Sequence, residues 1–237
     1  MICTLSKDVV PSDIYPYFSN WENIFRERMK DLSLVPLNWE GPDLNMRAFN
    51  SPSAYVDWFC YHPVTPEPCR DLSFYIRELT ILSAMMNPTM IVELGTNLGF
   101  GTFLLSKLNP GAKLITVDIG ELTKGPEPEL VPTGFLARMN NVEYTQIFGN
   151  SWKTKIPEPF DFCFIDADHS YESVLKDSYW AWEHRNSQKY IIVWHDFAPW
   201  DDMYLGTVRA ITDFSNEKGI IVYRFEDSGT VWHYKGL

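Results

Sequence analysis

From about residue 70 to the end, the apolar positions of this chain switch repeatedly between two spacings. Asp71–Met86 keeps the three-or-four spacing of a helix with one buried face, through Leu72, Tyr75, Ile76, Leu79, Leu82 and Met86, and Asn87-Pro88 ends it. Short apolar runs at Ile91–Leu94 and Lys113–Asp118 read as strands around a helix at Phe100–Leu108, which Asn109-Pro110-Gly111 stops. The proline-rich Ile119–Gly134 reads as a loop, and Asn141–Phe148 as a third strand. Phe160–Asp166 and Tyr190–Trp194 are near-continuous apolar runs, as expected of strands buried on both faces. Helices are predicted over Ser170–His184 and Met203–Asn216. The last runs, Gly219–Phe225 and Thr230–Tyr234, flank Glu226-Asp227-Ser228-Gly229 and form a hairpin pattern.

Strands alternating with helices and closed by a hairpin predict an α/β fold, a doubly wound and mainly parallel sheet with helices on both faces. The first 69 residues differ. Trp21–Lys30 reads as a short amphipathic helix with Trp21, Ile24, Phe25 and Met29 on one face, and Asn50–Pro68 interleaves Tyr55, Trp58, Phe59 and Tyr61 with prolines. Residues 1–69 are therefore expected to form an aromatic cap on a main domain spanning 70–237.

The net charge of −11 and pI of about 4.9 disfavour nucleic acid or an anionic membrane as partner. No apolar stretch approaches the ~20 residues of a membrane helix. The N-terminus lacks a basic start followed by an apolar run, so a cytoplasmic location is expected. Cys3, Cys60, Cys69 and Cys163 show no zinc-ligand spacing, and Cys163 reads as core.

Chemistry is concentrated in three places, each at the end of a predicted strand. Met90–Thr102 runs strand, glycine turn, helix, with Glu93 before Gly95, Gly99 and Gly101. That layout lets a backbone approach a nucleotide closely. A dinucleotide fingerprint would need glycines where Asn97 and Phe100 stand, so a pyrophosphate is hard to seat and a nicotinamide-dependent oxidoreductase is disfavoured. Asp118 ends the next strand, placed to accept hydrogen bonds from ribose hydroxyls. Asp166-Ala167-Asp168-His169 and His195-Asp196 end two later strands. If those strands are neighbours, their ends lie ~5 Å apart, and Asp166, His195 and Asp196 converge. Two carboxylates and an imidazole so placed suit a divalent cation.

The run E-L-G-T-N-L-G-F-G resembles motif I of class I S-adenosylmethionine-dependent methyltransferases, especially metal-assisted O-methyltransferases of the catechol and caffeoyl-CoA type. D-A-D-H-S-Y-E-S-V-x-x-D with the later H-D resembles the subgroup of macrolide-sugar O-methyltransferases and a cephalosporin-biosynthesis relative. The resemblance implies a seven-stranded sheet with an antiparallel last strand. It also implies a cofactor site of Glu93, Gly95, Thr96, Asn97, Gly99, Asp118, Asn150, Ser151 and Asp166, in which Gly149-Asn150-Ser151 faces adenine. It further implies Mg²⁺ or Mn²⁺ on Asp166, His195 and Asp196, with His169 as the catalytic base. His195-Asp196 departs from the family's usual Asp-Asn or Glu-Asp pair; imidazole is a poor Mg²⁺ ligand, so His195 either favours a softer metal such as Mn²⁺ or Fe²⁺ or does not ligate.

The expected function is therefore methyl transfer from S-adenosylmethionine to a small-molecule hydroxyl on a sugar, phenol or natural product. The alternative is an adenosyl-binding protein of the same fold without transfer activity. A homo-oligomer is compatible with the aromatic N-terminal segment.

Overall fold

The computed structural model describes residues 2–5, 12–29, 70–124, 130–225 and 228–236. The aromatic run Asn50–Pro68, with His62, Cys60 and Cys69, lies outside them. Among the described residues one eight-stranded sheet forms the centre. Its strands are β1 (Ile2–Leu5), β2 (Met90–Leu94), β3 (Lys113–Asp118), β6 (Thr145–Phe148), β7 (Phe162–Ile165), β8 (Tyr190–Trp194), β9 (Val222–Phe225) and β10 (Val231–Lys235). The order across the sheet is β1-β9-β10-β8-β7-β2-β3-β6. The seven expected strands are present, and the last, β10, runs antiparallel to both β8 and β9. Ile2–Leu5 adds an eighth, parallel to β9 at the sheet edge.

Period-two alternation sorts the strand side chains into two cores. Ile91, Phe162, Phe164, Ile191 and Val193 join one, under α2 (Trp21–Met29), α3 (Arg70–Met86) and α4 (Phe100–Leu108). Val92, Cys163, Ile165, Ile192 and Trp194 join the other, under α6 (Tyr171–His184) and α7 (Leu205–Lys218). The helical spacing of α3 has the same consequence, burying Ile76, Leu79, Leu82 and Met86 completely. Helix α7 ends at Gly219, whose φ of 63° is the left-handed cap that glycine adopts without strain.

Two expectations need correction. The stretch read as a loop holds a two-stranded antiparallel ribbon, β4 (Leu122–Lys124) with β5 (Leu130–Pro132), which precedes the short helix α5 (Phe135–Met139). Proline tolerates such an edge, and its presence masked the strand signal. The third expected strand begins only at Thr145, because Asn141 takes a positive φ of 50° and Val142 donates back to the Ala137 carbonyl. Trp194 at the end of β8 is core, with its indole donating to Ser178.

The strand order reverses direction between β2 and β7: the chain builds outward from β2 to β3 and β6, then returns to β7 and β8 on the other side. Ligands of open α/β sheets bind at that reversal, beyond the carboxyl ends of the strands. Phe162 lies on the central strand β7 and is fully buried. Phe162→Ala is expected to cost about 3–5 kcal/mol of stability, read by urea unfolding; a loss under ~1 kcal/mol would contradict this packing.

Candidate active site

Backbone hydrogen bonds carry the parallel ladder past the strand ends and set three neighbouring turns side by side. Asp166 N–H donates to the Leu94 carbonyl at 2.8 Å, and His195 N–H to Ile165 at 3.0 Å. The glycine turn follows β2. Gly95 has a φ of 97°, and a Cβ built on it would stand 2.0 Å from the Asp166 carbonyl oxygen. Only glycine fits there. Further along, a Cβ on Gly99 would stand 2.8 Å from the Cα of Gly134, so the turn also lies against the segment entering α5.

Asp118 ends β3 and pins this turn. Its Oδ2 accepts Thr96 N–H at 3.0 Å and Asn97 N–H at 2.9 Å, while Oδ1 accepts Gly120 N–H at 3.0 Å. The Thr96 hydroxyl is turned inward, 2.6 Å from the Thr116 hydroxyl and 3.0 Å from the Gln146 amide. The Asn97 side-chain oxygen accepts the Thr123 hydroxyl from the ribbon. Thr96 and Asn97 thus line the cavity while spending much of their polar capacity on holding its shape.

Glu93 shares the strand face of Ile91, under α4, and is 1% exposed. The Thr102 hydroxyl of α4 donates to its Oε2. Burial, opposed by hydrogen bonds from Thr102 and Thr116, pushes its carboxyl up to about 8.

At the other two turns, Asp166, His195 and Asp196 bring ligand atoms within 4.8 Å of one another. His195 Nδ1 lies 3.3 Å from Asp166 Oδ1 and 3.2 Å from Asp196 Oδ1. Burial works against a charge on His195, but the two carboxylates prevail and raise it well above the usual imidazole value. Two carboxylate oxygens and one imidazole nitrogen, convergent and held on strand ends, fit a divalent cation and favour Mn²⁺ or Fe²⁺ over Mg²⁺. Asp196 has a φ of 59°, an uncommon conformation of the kind that occurs at functional turns.

The other oxygen of Asp196 faces His169. His169 Nε2 stands 2.8 Å from Asp196 Oδ2, and the hydrogen bond to that carboxylate raises the imidazole's proton affinity. The ring is 38% exposed, tilted against Tyr204 with centroids 5.2 Å apart. Asp168 takes no part in this cluster. It accepts Ser170 N–H and the hydroxyls of Ser170 and Ser173, supporting the cap of α6, where Ser170 is the capping residue.

These groups share a cavity of about 900 Å³ with Asn150, Ser151, Trp152 and Tyr204. A recess of about 1220 Å³ lies at the opposite, amino-terminal ends of β2 and β3, with no comparable convergence of reactive groups. Sequence reasoning missed Tyr204 and Gly206, and gave no role to Asp177, the last residue of the D-A-D-H-S-Y-E-S-V-x-x-D run. A Cβ on Gly206 would lie 2.8 Å from the His169 carbonyl, so this glycine lets α7 pack on the loop that carries His169. Trp200, Asp201 and Asp202, which follow the His195-Asp196 turn, do not line the cavity.

A family model described as a methyltransferase domain matches residues 92–197, from the middle of β2 to the turn after β8. Residues 92–197 are thus similar to a methyltransferase domain. The matched residues hold all three strand-end turns of the cavity. Solved structures share the fold of this chain at low identity. An O-methyltransferase from Bacillus cereus in complex with SAH is 16% identical with a TM-score of 0.51, the match covering 92% of this chain and 98% of that one. A cofactor-bound protein from MTB, Rv0187, is 17% identical with a TM-score of 0.51, covering 76% and 85%. The SAH-bound Podospora anserina methyltransferase PaMTH1 is 11% identical with a TM-score of 0.51, covering 96% and 89%. No curated protein matches the chain's sequence. No helix among the described residues is long and apolar enough to cross a membrane.

Glu93 gives the site a measurable signature. Between its ordinary value of 4.5 and its folded value of about 8, the folded protein holds a proton that the unfolded chain has lost. Its contribution to stability therefore falls as pH rises through that window. Urea unfolding is expected to show the decline in the wild type and a flatter profile in Glu93→Gln; the same slope in both would contradict it.

Proposed function

We propose that the chain transfers the methyl group of S-adenosylmethionine to a hydroxyl of a small molecule such as a sugar, phenol or other natural product, with assistance from a divalent metal. The observation that carries this reading is the His169–Asp196 couple, set beside the Asp166, His195 and Asp196 donors at the glycine turn. The cavity's charge supports a cationic donor. Its described lining residues include Asp118, Asp166, Asp168 and Asp196 and no lysine or arginine, while burial favours the neutral form of Glu93. Such a wall favours the positively charged sulfonium over the neutral thioether left after transfer.

The couple supports Nδ1 of His169 as the base. An ionised carboxylate only accepts, so Nε2 of His169 carries the hydrogen shared with Asp196 and Nδ1 carries the lone pair. Nδ1 takes the acceptor's hydroxyl proton, and Asp196 stabilises the imidazolium that forms. The acceptor oxygen attacks the methyl carbon in line, and the sulfur–carbon bond breaks with its electron pair remaining on sulfur. A cation held by Asp166, His195 and Asp196 would supply Lewis acidity that lowers the acceptor hydroxyl's pKa.

Calorimetric titration with S-adenosylmethionine and S-adenosylhomocysteine tests the donor, with hydroxylated acceptors then screened by loss of S-adenosylmethionine, with and without Mn²⁺ or Mg²⁺. Binding is expected, and on an accepted substrate His169→Ala is expected to lower kcat ~10²–10⁴-fold with the donor's affinity retained. Absence of binding would overturn the donor. Full turnover by His169→Ala would overturn the base, and turnover insensitive to chelator and to Asp196→Ala would remove the metal.

A further inference from the structure

The mechanism leaves one buried acid of the cavity unused. Asp177 lies two turns into α6 and is 1% exposed, yet it lines the cavity together with Ser173 one turn earlier. The hydroxyl of Ser151, in the turn that follows β6, donates to its Oδ1. Among the described residues no hydrogen bond reaches Oδ2. With Oδ1 engaged by Ser151, the remaining oxygen is left for a donor in the cavity that Asp177 lines. Burial, only partly offset by Ser151, pushes this carboxyl up to about 6.

Its position along the cavity says which ligand part it meets. The sheet order β7-β2-β3-β6 arranges the turns as Asp166, Gly95, Asp118 and then Gly149–Ser151. With the methyl-bearing end of the donor at the metal donors and His169, and the ribose near Asp118, the base extends toward Ser151 and Asp177. Of the groups on adenine, the 6-amino group is the hydrogen-bond donor, and a carboxylate oxygen is an acceptor.

We propose that Asp177 is a specificity-determining residue that reads adenine. Its Oδ2 accepts a hydrogen of the 6-amino group, while Ser151 fixes the other oxygen and so the plane of the carboxylate. This inference rests on the donor reading above and adds a residue that the sequence pattern does not assign.

The test uses the ligand as the variant, so it does not depend on a mutant folding. Wild-type protein is titrated with S-adenosylhomocysteine and with its purine analogue, which lacks only the 6-amino group. Loss of that group is expected to weaken binding about tenfold or more. In Asp177→Ala the two ligands are expected to bind within about threefold of each other. Equal binding of both ligands by the wild type would overturn the proposal. So would a ratio that persists in Asp177→Ala, because a merely structural role weakens both ligands alike. If the wild type bound neither ligand, the donor reading itself would fall, a result distinct from equal binding.

Discussion

The site depends on one close approach, the backbone of Gly95 against the carbonyl of Asp166. At the point where strand order reverses, β2 and β7 end side by side, and their turns leave the sheet together. A side chain on Gly95 would drive the two turns apart, since its Cβ would overlap the Asp166 carbonyl. With that contact made, the first turn forms the floor of the cavity and the second delivers Asp166 and His169 to its wall. His195 joins through one further step of the same parallel ladder.

The second constraint is electrostatic. Six carboxyl groups line one cavity, and the fold keeps each for a different physical reason. Asp118 accepts three backbone N–H groups of the turns it anchors. Asp168 is held by Ser170 and Ser173 and stays well within the ionised range. Although burial opposes its charge, Asp196 is held ionised by His169 and His195. Glu93 and Asp177 are the reverse case, where burial prevails and raises the proton affinity. Asp166 completes the set opposite His195. This division separates acids that shape the turns from acids left facing a ligand.

Much of this was legible in the sequence because the signals are local. Period-two runs ending in Asp118, Asp166 and His195 mark strand ends, and parallel strands bring such ends to one edge of the sheet. Glycines at 95 and 99 mark positions that a side chain cannot occupy. The rest depends on contacts between segments far apart in the chain. Asp177 reads as one polar position on a helix until Ser151, 26 residues earlier, is placed against it. Gly206 reads as a weak point in a helix until the His169 loop is seen to pack there. The Asn97 side chain looks available for a ligand until Thr123 of the ribbon engages it, and prolines hid that ribbon.

The central claim is that these strand-end turns form one adenosyl site with His169 at its reactive end. A crystal structure with S-adenosylhomocysteine tests it most directly. The account predicts the ligand in the cavity between the Gly95 turn and Trp152, its sulfur facing His169 and its adenine beside Asp177. A ligand bound outside this cavity, or bound with its sulfur turned away from His169, would contradict it.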